Sequence, residues 1–412
     1  MLFHQNGFCA ALFTPRLSVG HTYTDNLYLT DENEEHDFIT TITPEFDLSL
    51  TGRQSELSLA YAPSYAIYSR FSEHNSLRHN ADMNAASQFS RHTRIEISDS
   101  FTRTETPVTD MDAAFSEADT TVRQGRETYY TNTAAIDLIN EFGADNSLDI
   151  GYTHYFIKND DPALEDSQRH TPSIALSYWL IPNRLGTEWE ATYTNRHFED
   201  SENYNDTSGR LRITNRLNPR FDLYLEYTHE WTRYEEDGID YQVYNPLIGL
   251  HWEKSERLTF SASAGWFYQD YDDEDSEGGV SGTVSALYTG ARGTTASLTG
   301  TAGYDRSDSG AEQLGFTKFY GVSGMAARPL GRRLSVDISV DYRQNQYMEI
   351  QPERTDEIWR AGTGLTYQPL SWITLAADYT FRMLDSDIDT NDYTENRGVI
   401  TITMTPRQPI RL

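Results

Sequence analysis

The sequence predicts an all-β chain: a single antiparallel, up-and-down transmembrane β-barrel of about 20 strands. Three observations predict it. Apolar and polar residues alternate in strand-length stretches from end to end. The links between those stretches switch regularly between tight and long. No apolar run reaches the ~18–20 residues of a membrane-crossing helix; the longest, such as Ile174–Ile181, are strand-sized and contain Ser177.

Residues 334–342 show the unit. Leu334, Val336, Ile338, Val340 and Tyr342 fall on one face, and Ser335, Asp337, Ser339 and Asp341 on the other. Successive side chains of a strand point to opposite faces, so this is a sheet with one oily side and one wet side. A closed barrel hides the oil in lipid and leaves no unpaired edge. Composition agrees. Only 37% of the 412 residues are hydrophobic and the mean hydropathy is −0.64, too little oil for a packed interior of this length. The 27 Tyr, 18 Phe and 7 Trp suit a membrane interface, where a ring has one wet end.

In chain order, alternation and turn residues place strands near Thr14–Thr30, Phe38–Thr51, Glu56–Tyr68, Leu77–Ser90 and Arg94–Thr104. They continue near Glu127–Phe142, Ser147–Lys158, Arg169–Leu180, Thr187–Phe198 and Thr207–Leu217. The next lie near Phe221–Tyr234, Asp240–Glu253, Arg257–Tyr271, Gly279–Thr289 and Thr294–Tyr304. The last are near Phe316–Arg328, Arg333–Tyr347, Asp356–Gln368, Trp372–Leu384 and Glu395–Thr405. Residues 1–12 form a short N-terminal segment, and 13–412 the barrel. That segment is too short and irregular for a whole export signal, so a truncated start or a processed chain is expected. Cys9 is the one cysteine, so no intrachain disulfide forms.

Tight links such as Gly143–Asn146 and Asn218-Pro219-Arg220 alternate with longer polar ones, as short periplasmic turns alternate with long outer loops in outer-membrane barrels. The chain is therefore expected to be integral to a bacterial outer membrane, both termini facing the periplasm. Acid gathers in the long links, as at Asp31–Asp37, Asn159–Asp166, Glu235–Asp237 and Asp272–Glu277. Solvated loops are the plain reading; divalent cations among lipopolysaccharide phosphates are the second. The longest link, Glu105–Arg126, is expected to be an outer lid, with a lumen-narrowing loop as the alternative. A net charge of −30, from 63 acidic and 33 basic residues, opposes nucleic-acid binding.

The wet face carries the candidate functional residues. Glu188, Glu190, Arg210, Arg212, Asp222, Glu226, Glu230, Asp337, Asp341, Arg343, Asp378 and Arg382 are expected to line the lumen. Both signs with an acidic surplus favour ion passage with a mild cation preference. About 20 strands enclose a lumen too wide for side chains alone to fill, so a pore is the default. Catalysis is not expected: no H-E-x-x-H, G-x-S-x-G or P-loop occurs. His154 and His229 fall on the apolar face, where girdle or packing roles suit them. No cofactor or metal site is expected, and the absence of C-x-x-C-H excludes attached heme.

The opening Thr14-Pro15-Arg16-Leu17-Ser18-Val19, followed by Tyr23-Thr24-Asp25-Asn26-Leu27, resembles the start of outer-membrane β-barrel porin families. The resemblance implies an outer-membrane barrel, and some such families accompany exopolysaccharide export and exosortase systems of Gram-negative bacteria. The chain departs from the usual pattern in ending Ile410-Arg411-Leu412 rather than on an aromatic residue. Expected partners are membrane lipid and lipopolysaccharide, small polar solutes or ions, and a periplasmic or extracellular protein. The expected function is a pore for ions or polar solutes, or the conduit of an exopolysaccharide export system; a non-conducting structural barrel that sheathes or anchors a cytochrome or an extracellular polymer is the alternative.

Overall fold

A computed structural model of the chain describes residues 10–106, 125–236, 238–271, 276–306, 314–349 and 353–412. Strands β1 to β5 are Ala10–Thr24, Asp37–Thr51, Ser55–Tyr61 with Ser64–Tyr68, Ser76–Gln88 and Thr93–Thr104. Strands β6 to β10 are Tyr129–Phe142, Asn146–Asn159, Ser167–Ile181, Leu185–Phe198 and Tyr204–Asn218. Strands β11 to β15 are Phe221–Tyr234, Tyr241–Ser255, Leu258–Tyr271, Glu277–Thr289 and Thr295–Arg306. Strands β16 to β20 are Phe316–Pro329, Leu334–Tyr347, Arg354–Leu370, Ile373–Ser386 and Tyr393–Met404.

Each strand pairs antiparallel with the next, and β1 pairs with β20 from Leu17↔Met404 to Thr24↔Arg397, which closes a twenty-stranded barrel. Closure leaves no edge for another chain to extend. Ile410–Arg411 carries the seam further by pairing with Leu12 and Phe13. Strand β3 breaks at Ala62-Pro63 because proline has no N–H to donate, but β2 keeps one register across the break, from Phe46↔Tyr61 to Ile42↔Tyr65. Short links close one end and longer links the other. The tight turns use residues that tolerate left-handed backbone: Gly143 and Asp145 both have φ 61°.

Apolar side chains face outward as the alternation requires. Leu225, Ile248, Leu298 and Ile400 are each about 60% exposed, an apolar surface that only lipid makes favourable. Replacing Ile248 by Arg in mid-belt should cost about 2–4 kcal/mol. A urea titration of the refolded protein in vesicles measures this, and an unchanged midpoint would contradict the lipid-facing assignment.

Two corrections to the sequence reading concern the long-link end. The first strand stops at Thr24, so Asn26–Thr30 is not strand. Asn26 bonds back to Thr30 through both side-chain ends, and Leu27 and Leu29 are buried. The link turns inward. The second correction is that the lumen is not water-lined throughout: among the described residues, the fully buried side chains lie toward the long-link end of the barrel.

Candidate functional site

Toward the short-link end, the wet face of β9, β10 and β11 is a ladder of opposite charges. Antiparallel register sets Glu188 opposite Arg212, Glu190 opposite Arg210, Arg212 opposite Glu226 and Arg216 opposite Asp222. Arg210 lies 2.5 Å from Glu190 and 3.3 Å from Glu226; Arg212 lies 2.6 Å from Glu226, and Arg216 3.1 Å from Asp222. Partly exposed pairs of this kind are worth about 0–1 kcal/mol each, so they contribute little stability. Their main consequence is a fixed pattern of charge along the wall.

Glycines keep that wall flat. The Trp179 ring lies against Gly186, where an added Cβ would approach within 3.2 Å, and Arg216 lies 4.8 Å from the same ring. Tyr224 fills the gap over Gly249, with Arg212 at 4.5 Å. Trp179, Tyr224, Glu188, Arg212 and Asp222 line a recess of about 320 Å³. Asp337, Asp341 and Asp378 share the inward face of β17 and β19. Gly364 stands between Asp337 and Asp378 in register; a side chain there would press to 2.6 Å from the Asp337 carboxylate.

The other three candidate residues sit in a packed layer at the long-link end. Arg343 and Arg382 are each 4% exposed. Arg343 bonds Asp305 at 2.5 Å and lies 4.0 Å from the Phe319 ring, and Arg382 reaches Glu395 at 3.2 Å. Glu230 accepts a 3.1 Å hydrogen bond from Tyr304. All twelve candidates occupy the inward parity, but Arg343 and Arg382 do not face open lumen water.

Sequence reasoning missed that layer, and one side of it follows a break in the wall. Strands β14 and β15 pair only from Gly282↔Ala302 to Thr289↔Thr295. Beyond that, Glu277–Ser281 stay with β13, and Gly303–Arg306 stay with β16. The freed β15–β16 ribbon tips inward. Lower down, its even positions face lipid, with Val322 50% exposed. Above the break the same parity presses on the inner wall: Phe316 packs 5.6 Å from Tyr241 and 6.1 Å from Phe267, and Tyr304 packs 4.8 Å from Phe267. The ribbon is held by Arg306. Its guanidinium donates 2.6 Å hydrogen bonds to the Tyr241 and Tyr234 hydroxyls, lies 3.9 Å from the Tyr204 ring and 3.8 Å from Glu349. The signal in the sequence was large rings on the wet parity near long links: Phe198, Tyr204, Tyr241, Phe267 and Tyr347.

The first long link fills the opposite side of the mouth. Leu27 packs with Ile39, Ala66 and Tyr68, and Leu29 with Ile358, Leu384 and Tyr393. Leu29 has φ 55°, a left-handed conformation that a leucine holds only where packing imposes it. Glu105, at the foot of the longest link, accepts bonds from Arg78 at 2.5 and 2.9 Å and from Tyr68 at 2.7 Å. Burial works against its charge, but the Arg78 hydrogen bonds and charge prevail and hold the carboxyl down to about 2. Residues 107–124 of that link, where a lid was expected, lie outside the described residues. On the lipid face, His154 stacks on His170 and His229 on Tyr244, both at 4.7 Å, in the packing role expected for them.

Comparison with known proteins follows the fold. A family model described as "Putative beta-barrel porin 2" matches residues 182–405. No curated protein matches the sequence. Among solved structures, the FrpB iron transporter of Neisseria meningitidis is similar at 10% identity and a TM-score of 0.58, over 96% of this chain and 82% of that one. The ferric enterobactin receptor of Pseudomonas aeruginosa is similar at 11% identity and a TM-score of 0.55, over 97% and 81%. The siderophore receptor PirA of the same organism is similar at 12% identity and a TM-score of 0.52, over 95% and 80%. At these identities the likeness is one of fold: an outer-membrane-type barrel.

Proposed function

The chain belongs to this beta-barrel porin family, and on that premise we propose that it is a passive, non-enzymatic channel for ions and small polar solutes, integral to the outer membrane of a Gram-negative bacterium. The observation that carries the reading is the two-faced wall. Exposed aliphatics face out, while the inward face toward the short links carries charge and recesses rather than packed side chains. Of the twelve candidate residues, eight are acids (Glu188, Glu190, Asp222, Glu226, Glu230, Asp337, Asp341, Asp378) and four are arginines. That surplus supports a weak cation preference. The finer role, as conduit for an exopolysaccharide, rests on the resemblance of the opening residues.

Planar-bilayer recording tests the channel. Stable open steps are expected, with a reversal potential that weakly favours cations and a conductance below that of an unobstructed barrel of this width. A folded barrel that never opens would overturn it. The packed mouth favours a second reading, a structural barrel that sheathes or anchors a partner protein; a silent barrel that co-purifies with one would support that instead.

A further inference from the structure

We infer that the short-link half of the lumen holds a subsite for an uncharged oligosaccharide segment; the inference rests on the channel reading and names a class of cargo for it. The site is the recess of about 320 Å³ on the inner wall of β8 to β12. Small-molecule sites span about 300–1,000 Å³. Antiparallel register builds the recess in three levels. On the middle one, Trp179, Gly186, Thr214, Tyr224 and Gly249 stand side by side. Each ring lies against the glycine beside it, where an added Cβ would meet ring atoms, so both rings spread along the wall as platforms. Three strand steps separate Trp179 from Tyr224, about 14 Å along the wall. The two platforms therefore meet different sugar units of one chain.

The levels on either side carry hydrogen-bonding groups. Toward the long links stand Glu188, Arg212 and Glu226; toward the short links stand Arg216 and Asp222. Arg212 lies 2.6 Å from Glu226 and 4.5 Å from the Tyr224 ring. Arg216 lies 3.1 Å from Asp222 and 4.8 Å from the Trp179 ring. Each guanidinium donates its Nε–H to that carboxylate, which leaves terminal N–H groups for a solute. A pyranose presents C–H groups on its faces and hydroxyls around its rim. The C–H groups suit an aromatic face, which is the negative side of the ring quadrupole. The hydroxyls suit the planar forks of arginine and carboxylate, which donate and accept in pairs. The lining is balanced, Arg212 and Arg216 against Glu188 and Asp222, in a chain of net charge −30. An ion therefore has no advantage there over a neutral hydroxyl. A recess of about 530 Å³ elsewhere on the inner wall gives the contrast: Glu56, Glu96 and Asp137 line it with no ring and no arginine. The wet-parity rings Phe198, Tyr204, Tyr241, Phe267 and Tyr347 are buried in the packed layer, whereas Trp179 and Tyr224 stay partly exposed in the open half.

Calorimetric titration of the full-length barrel in a zwitterionic, sugar-free detergent tests this, using maltotriose, cellotriose, mannotriose, their monosaccharides and sorbitol. Saturable binding of at least one trisaccharide is expected, and none of sorbitol, which has hydroxyls but no ring face. The matching monosaccharide should bind about tenfold more weakly, since it meets one platform at a time. Trp179→Ala and Tyr224→Ala should each weaken trisaccharide binding about tenfold, and Trp179→Phe, which keeps a ring, should weaken it less. Arg212→Lys keeps the charge and loses the fork, so it should weaken binding in the same sense, and it carries the comparison if the alanine variants do not fold. The inference is overturned if no trisaccharide binds, if sorbitol or the monosaccharide binds as well as the trisaccharide, or if the folded variants bind as the wild type does. Conductance of the same preparation separates the two proposals: binding by a silent barrel removes the channel and keeps the subsite, whereas conduction without binding removes the subsite alone.

Discussion

Arg306→Ala is expected to unseat the inward ribbon and raise single-channel conductance several-fold. The side chain is the point where the ribbon meets the inner face of β10 to β12: two tyrosine hydroxyls and the Tyr204 ring converge on it, with Glu349 beside them. Losing a charged hydrogen-bond donor typically costs about 1.5–3 kcal/mol; Tyr234 keeps its 2.9 Å bond to Glu349 in the variant. The barrel wall itself should survive, since the ribbon has already left the β14–β15 ladder where Arg306 sits. Tyr304→Phe provides a graded comparison. It deletes the hydroxyl's hydrogen bonds to Glu230 and Asn245 but keeps the charge network, and should destabilise by only about 1–2 kcal/mol with a small rise in conductance. Bilayer recordings of both variants check the order. Equal conductance in the wild type and Arg306→Ala would mean that the ribbon does not obstruct the path.

Acid should release the other side of the mouth. The Glu105 carboxyl ordinarily titrates near 4.5 and is held at about 2 by Arg78. A lowered acid contributes stability that is complete above 4.5 and disappears as pH falls through about 2. The difference amounts to about 3 kcal/mol. Tm should therefore fall in the wild type between pH 4.5 and 2, and Glu105→Gln should start lower at pH 7 and lose less across that window. Parallel Tm-against-pH curves for the two proteins would show that the pair contributes nothing specific.

The wall was legible in the sequence because it is a local property. Alternation at Leu334–Tyr342 and turn residues at 143–146 depend on neighbours a few positions away. Most strand ends agree within two or three residues for the same reason. The mouth was not legible, because its causes are long-range. Tyr304 meets Glu230 across 74 positions, and Asn26 meets Thr394 across 368. Asn26–Thr30 reads as more strand, and only its buried contacts with β2, β3 and β18 to β20 bend it inward. Parity misled in the same way at Arg343 and Arg382: it gave the correct face, but not the layer that covers them.

Thiol labelling at two adjacent positions of β17 tests the central claim most directly. Asp337 and Ile338 are both exposed, on opposite faces of one strand. In a Cys9→Ser background in lipid vesicles, Asp337→Cys should react quickly with a water-soluble maleimide, while Ile338→Cys should be protected from it and react with a lipid-soluble one. Rapid aqueous labelling of Ile338→Cys, or protection of both positions, would contradict a wall with lipid on one side and water on the other.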